Sequence, residues 1–234
     1  MLYGAVTILA LIAGFYLLLR RGNAFAPDTT PPVRLQRRTA AFFFACALSH
    51  LWYLPTAFFT SDENIKLTLY VGALLDFVTV FPLSIIVLLT MLQDRRRPLW
   101  PVGIMAVPLF IGTVWCIVTR SDTLVPIIYG YLVVVGIFFI IYLLRALRQY
   151  SHWLRDNYAD LEHKEVWQMF VVMAIVLLLL CFYVGGEKGA SYEYIVQIAE
   201  VGLICYLLWR VETLSDFSVA QAPADITDQN AANK

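Results

Sequence analysis

Long uninterrupted apolar runs, rather than alternation, organise this chain. They fall near 2–19, 39–59, 65–92, 99–119, 124–144, 166–184 and 192–209. A hydrocarbon core needs about 20 apolar residues per crossing helix, and the chain supplies that length seven times. Strands are excluded because no stretch alternates apolar with polar positions. Backbone groups in lipid must also be satisfied within each segment, which continuous apolar runs achieve as helices. The pattern predicts an all-α polytopic membrane protein: a seven-transmembrane-helix bundle over 1–214, interrupted by an amphipathic linker at 145–165 and followed by a polar tail at 215–234.

Composition agrees with that class. The 234 residues are 60% hydrophobic and 15% charged, with a mean hydropathy of +0.71, outside the range of ordinary soluble domains. Net charge is zero, so bulk charge names no partner. Cys46, Cys116, Cys181 and Cys205 lie scattered through apolar runs without metal or redox spacing, and read as small hydrophobes.

The placement of Lys and Arg sets an expected orientation. The linkers after the first, third and fifth runs, with the segment after the seventh, hold all the Lys and Arg except Lys66, Arg120 and Lys188. Cationic loops are retained in the cytoplasm, which puts the N-terminus outside and the C-terminus inside. The first run has no positive charge before it and Arg20 and Arg21 after it, the reverse of a cleavable signal peptide. The expected location is therefore the bacterial inner (cytoplasmic) membrane, multi-pass. The outside turns "TSDEN", "RSD" and "GGEKGAS" leave no room for an external binding domain, so any ligand is expected to be small, lipidic or protonic.

Three ionisable residues interrupt apolar spans near their centres: His50, Asp76 and Glu200. A charge at that depth costs about 2.5–3.5 kcal/mol on insertion scales, so such residues usually face the protein interior. They are expected to form an intramembrane polar network whose state biases helix packing. A static polar clamp between helices is the alternative. Pro55, Pro82 and Pro108 predict bends, and Pro126 falls in a first turn, where its missing donor costs little. Trp52, Tyr53, Phe58 and Phe59 read as an outer interfacial belt, and Trp100, Trp153, Trp167 and Trp209 as an inner one.

The most polar run before the tail is "SHWLRDNYADLEHKEVW", 151–167. Tyr150, Trp153, Leu154, Tyr158 and Leu161 recur at helical spacing along one face. Asn157 with Asp160 resembles a helix start, and Asp160 with Lys164 a favourable i, i+4 pair. Its alternative readings are a linker lying on headgroups and a cytoplasmic coupling strip, carried by Trp153, Arg155, Asp156, Asn157, Tyr158, Asp160 and Glu162, that docks a cytoplasmic protein partner. His152 with Asp156, and Asp160 with His163, have ligand spacing, but two such pairs are too little to predict a metal. No phosphate loop, HExxH, GxSxG or kinase loop occurs, so no enzyme and no cofactor are expected. The three arginines of "DRRRP" are accounted for by orientation and anionic lipid, and are too few for direct nucleic-acid binding by this chain.

The run "WLRDNYADLEHKEVWQ" at 153–168, with "YEYIVQIAEVGLICYLLWRVETL" at 192–214, resembles the membrane half of membrane-anchored AraC-type transcriptional regulators of anaerobic Gram-negative bacteria. That resemblance implies a multi-helix sensory and anchoring region ahead of a cytoplasmic helix-turn-helix domain. Where the family would continue toward that domain, this chain runs through "SDFSVAQAPADITDQNAANK", a stretch expected to be disordered. The competing expectation is a proton-coupled small-molecule transporter using the midplane carboxylates. It predicts internal repeats, and no repeat is evident between the halves.

Overall fold

The computed structural model describes residues 2–19, 31–157, 166–184 and 190–214. Among the described residues the elements are helical and no strand occurs. They are α1 (Leu2–Leu19), α2 (Val33–Trp52), α3 (Asp62–Met91), α4 (Trp100–Thr119), α5 (Val125–Asn157), α6 (Trp167–Val184) and α7 (Ala190–Thr213), with a 3₁₀ turn at Leu54–Ala57. Among the described residues six candidate spans are long and apolar enough to cross a membrane: Leu2–Leu19, Val33–Ala57, Asp62–Met91, Trp100–Thr119, Val125–Asn157 and Tyr194–Thr213.

The ends of α2 depart from expectation for identifiable reasons. The helix starts at Val33, before the apolar run, because extended Pro32 offers its carbonyl to the Gln36 N–H at 3.1 Å and launches the helix. Arg34, Arg37 and Arg38 therefore lie inside it. It stops at Trp52, and Pro55, which was expected to bend a longer helix, instead follows its end. Pro55 has no N–H to give the Leu51 carbonyl, and its ring crowds the preceding turn. The backbone tightens into i→i+3 bonds instead, Thr56 N–H to Tyr53 at 3.1 Å and Phe58 N–H to Pro55 at 3.0 Å. Pro82 and Pro108 remain within α3 and α4. At the end of α4, Arg120 adopts a left-handed conformation with φ 50° and ψ 36°.

Helix α2 packs on α1, α3 and α7, while α7 also touches α1 and α6. Their shared core includes Val6, Ala10 and Ala13 of α1, Phe42 and Phe43 of α2, Ile85 and Leu88 of α3, Met169 and Met173 of α6, and Leu203 and Leu207 of α7. Close approach of α1 and α2 uses Gly14, where an added Cβ would stand 3.0 Å from the Phe44 ring. A smaller core joins Leu74 of α3, Leu109 and Cys116 of α4, and Val125 and Ile128 of α5. Outward, α4 and α5 expose Ile104, Phe110, Ile111, Val134, Ile137, Phe138 and Ile141, a surface suited to hydrocarbon rather than water. Cys46 and Cys116 are buried as expected, whereas Cys205 is exposed.

Helix α5 is 33 residues long, about 50 Å at 1.5 Å per residue, against a hydrocarbon core of about 30 Å. It runs past the apolar stretch and carries the first half of the polar strip as its own last turns. Asn157 is thus helical within α5 rather than the cap of a new helix. Its side-chain amide donates back to the Trp153 carbonyl at 2.7 Å.

Candidate functional site

The predicted midplane trio splits into two adjoining parts, both held by the end of α2. His50 lies two residues before the last residue of α2, not at mid-helix, while Asp76 and Glu200 are near the middles of α3 and α7. The His50 Nε2 is 3.4 Å from Glu200 Oε2 and 3.2 Å from Gln197 Oε1. Two oxygens thus converge on one ring nitrogen, an arrangement in which the tautomer protonated at Nε2 can donate to either. Gln197 and Glu200 are three apart on α7 and so share a face. The Tyr3 ring of α1 stands edge-on to the imidazole, with centroids 5.5 Å apart. His50 of α2 is thereby enclosed between α1 and α7, its side chain only 6% exposed and that of Glu200 13%.

Asp76 bonds to neither His50 nor Glu200. Each of its oxygens takes one hydrogen bond from the end of α2: the Trp52 indole N–H donates to Oδ1 at 2.9 Å and the Tyr53 hydroxyl to Oδ2 at 2.7 Å. These two rings, read from the sequence as interfacial anchors, are instead ligands of a carboxyl group inside the fold. Gly72, one turn before Asp76, makes room for Tyr53, since a Cβ there would lie 2.7 Å from the ring. The arrangement ties the end of α2, which Pro55 sets, to the middle of α3. The His50 and Glu200 side chains thus join α2 to α7, and the Asp76 carboxyl joins it to α3.

Gln197, Trp52, Tyr53 and Tyr3 were missed by sequence reasoning. The i, i+3 spacing of Gln197 and Glu200 was the available signal. The aromatic donors gave none, because their partner lies more than 20 residues away and only the fold brings it near.

A second polar centre sits at the arginine-rich end of the bundle. In the turn between α3 and α4, Arg97 forms a bidentate pair with Asp94 at 2.6 and 2.9 Å, and both side chains are almost fully buried. The same guanidinium donates to the Leu92 carbonyl at 3.3 Å and the Ala146 carbonyl of α5 at 3.4 Å. Arg95 donates to Gln149 of α5. Arg97 is therefore a structural pin rather than a lipid-facing charge, a role the simple count of basic residues did not anticipate. Nearby, Arg38 of α2 donates to Thr90 of α3 at 2.6 Å.

Of the predicted strip, Tyr150 and Leu154 are buried and Trp153 packs against the main core, while Arg155, Asp156 and Asn157 are exposed. His152 Nδ1 pairs with Asp156 Oδ2 at 3.3 Å on the open surface. Tyr158, Asp160, Glu162, His163 and Lys164, like the tail at 215–234, lie outside the described residues. Among the described residues no group of three or more metal-ligating side chains forms. No family model, curated protein or solved structure matches this chain.

Proposed function

We propose that this chain is the transmembrane sensory and anchoring module of a membrane-bound transcriptional regulator. In this reading seven helices span the bacterial inner membrane, the N-terminus is outside, and the arginine-rich end faces the cytoplasm. The state of the His50–Gln197–Glu200 and Asp76 cluster biases how α2 sits against α3 and α7. The α3–α4 turn and α5 carry that bias to a cytoplasmic partner, with Trp153, Arg155, Asp156, Asn157, Tyr158, Asp160 and Glu162 as the docking strip.

The observation that carries the reading is the continuity of α5 from Val125 to Asn157, pinned by Arg97 to the turn that follows α3, the helix of Asp76. A spanning helix that continues some 20 Å beyond the hydrocarbon is suited to transmit movement, since displacing its membrane part displaces its tip. A ligand, proton or lipid shifts the bundle only by its differential affinity for two states. The AraC-type assignment rests on the resemblance of 153–168 and 192–214. Fusing the chain after Leu214 to a helix-turn-helix reader with a reporter operator tests it: Glu200→Gln and His50→Gln should change reporter output, with Lys66→Gln silent. Output indifferent to all three removes the sensing role.

A transporter is the second reading, and one observation favours it. The α-helical backbone of α2 ends beside Asp76, and interrupted helices next to polar side chains are how transporters build midplane sites. Uptake into proteoliposomes driven by a pH gradient, abolished by Asp76→Asn, would establish it.

A further inference from the structure

We infer that the corner between the α3–α4 turn and α5 binds the headgroup of an anionic phospholipid from the leaflet at the arginine-rich end. The pairing of Arg97 with Asp94 is closed on itself: the carboxylate is consumed by a bidentate, buried partner. What remains outside is cationic. Arg95 is 62% exposed and reaches Asp94 only at 4.0 Å, and its hydrogen-bond partner is the neutral Gln149. Arg145 lies one helical turn from both Arg148 and Gln149, and so neighbours each of them on the surface of α5. Both arginines are exposed, and among the described residues neither has a carboxylate within ion-pair reach. The nearest exposed acid along α5, Asp156, is paired to His152.

The apolar surface beneath selects the occupant. Arg145 is the first charged residue of α5, directly after the exposed Ile137, Ile140, Ile141 and Leu144. Across the corner α4 opens with exposed Trp100 and Ile104, a ring at headgroup depth followed by an aliphatic wall. Exposed guanidiniums whose charge, among the described residues, no exposed carboxylate offsets stand above a continuous apolar face, which matches an amphiphile with a phosphodiester head and acyl tails, whereas a soluble anion or a nucleic acid would leave the apolar part unused. Guanidinium recognises phosphate oxygens through paired donors, and basic corners between membrane helices hold such headgroups. The inference uses only the apolar character of the spans and stands whether or not the sensory reading holds.

Native mass spectrometry of the full chain released from nanodiscs tests it. With mixed phosphatidylcholine and phosphatidylglycerol, the wild type should retain phosphatidylglycerol preferentially. Each arginine near a charged surface contributes about 1 kcal/mol, or about fivefold, so Arg95→Gln with Arg148→Gln should weaken retention roughly thirtyfold. Lys66→Gln, at the other end of the bundle, should leave it unchanged, and an unchanged melting temperature shows that the buried Arg97 pin is intact. Equal retention by the double variant overturns the inference. So does displacement of the lipid by millimolar inorganic phosphate or a short oligonucleotide, which would assign the corner to a soluble anion or a nucleic acid.

Discussion

Replacing Gly72 by Ala asks whether Asp76 organises the end of α2. In an ordinary helix interior the change stabilises by about 0.5–1 kcal/mol, because glycine loses more backbone freedom on folding. Here the new methyl carbon would sit 2.7 Å from Tyr53 Cε1 and 3.0 Å from both Cδ1 and Cζ, well inside van der Waals contact. The ring must swing away, and its hydroxyl leaves Asp76 Oδ2, now 2.7 Å distant. Depriving this half-buried carboxyl group of a donor costs about 1.5–3 kcal/mol, so the net expectation is destabilisation by about 1–2 kcal/mol. Tyr53→Phe removes the same hydrogen bond without moving the ring. Unfolding of the purified protein in mixed micelles should therefore show Gly72→Ala and Tyr53→Phe each destabilising, and the double variant losing clearly less than the sum of the two. A stabilised Gly72→Ala protein, or strict additivity, would refute the claim that the small residue exists to admit the tyrosine.

Three further outcomes follow from the same geometry. Arg97→Ala leaves Asp94 buried without its counter-charge and should cost roughly 3–5 kcal/mol, whereas Arg97→Ala with Asp94→Ala should recover part of that loss in the same unfolding assay. His50→Ala and Glu200→Ala should be coupled by about 1 kcal/mol in a double-mutant cycle, and Asp76→Asn should couple to either clearly less, because only the first pair is in contact; coupling of Asp76 as strong as that of the pair would restore the single three-residue network. Arg120→Gly should raise stability by about 0.5–1 kcal/mol, since a side chain in the left-handed region costs about 1–2 kcal/mol and glycine adopts it freely; a fall in melting temperature would show that the Arg120 side chain makes a compensating contact.

Much of the helical architecture was legible in the apolar runs, because continuous hydrophobicity and the need to satisfy backbone groups act together. The ends of elements were less so. Hydropathy reads the cost of transfer into lipid, so it began the second span after the charges of Arg34, Arg37 and Arg38, although the backbone starts its helix at the proline before them. It ended the fifth span at Leu144 although the helical hydrogen bonds continue to Asn157. The candidate site was legible only as a cost. His50, Asp76 and Glu200 were conspicuous as ionisable groups in apolar surroundings, but their partners Trp52 and Tyr53 blend into interfacial belts, and the uncharged Gln197 shows only through its spacing from Glu200. Arg97 was hidden for the opposite reason: among neighbouring arginines nothing marks the one that turns inward.

The proposed function requires transmission from the polar cluster to the tip of α5. Its most direct test is the distance between spin labels at Lys66→Cys on α3 and Arg155→Cys on α5, with the native cysteines replaced, in lipid nanodiscs. The distance distribution should shift when Glu200→Gln or His50→Ala is introduced, and should not shift with Arg120→Gly. Superimposable distributions for all of these proteins would contradict it.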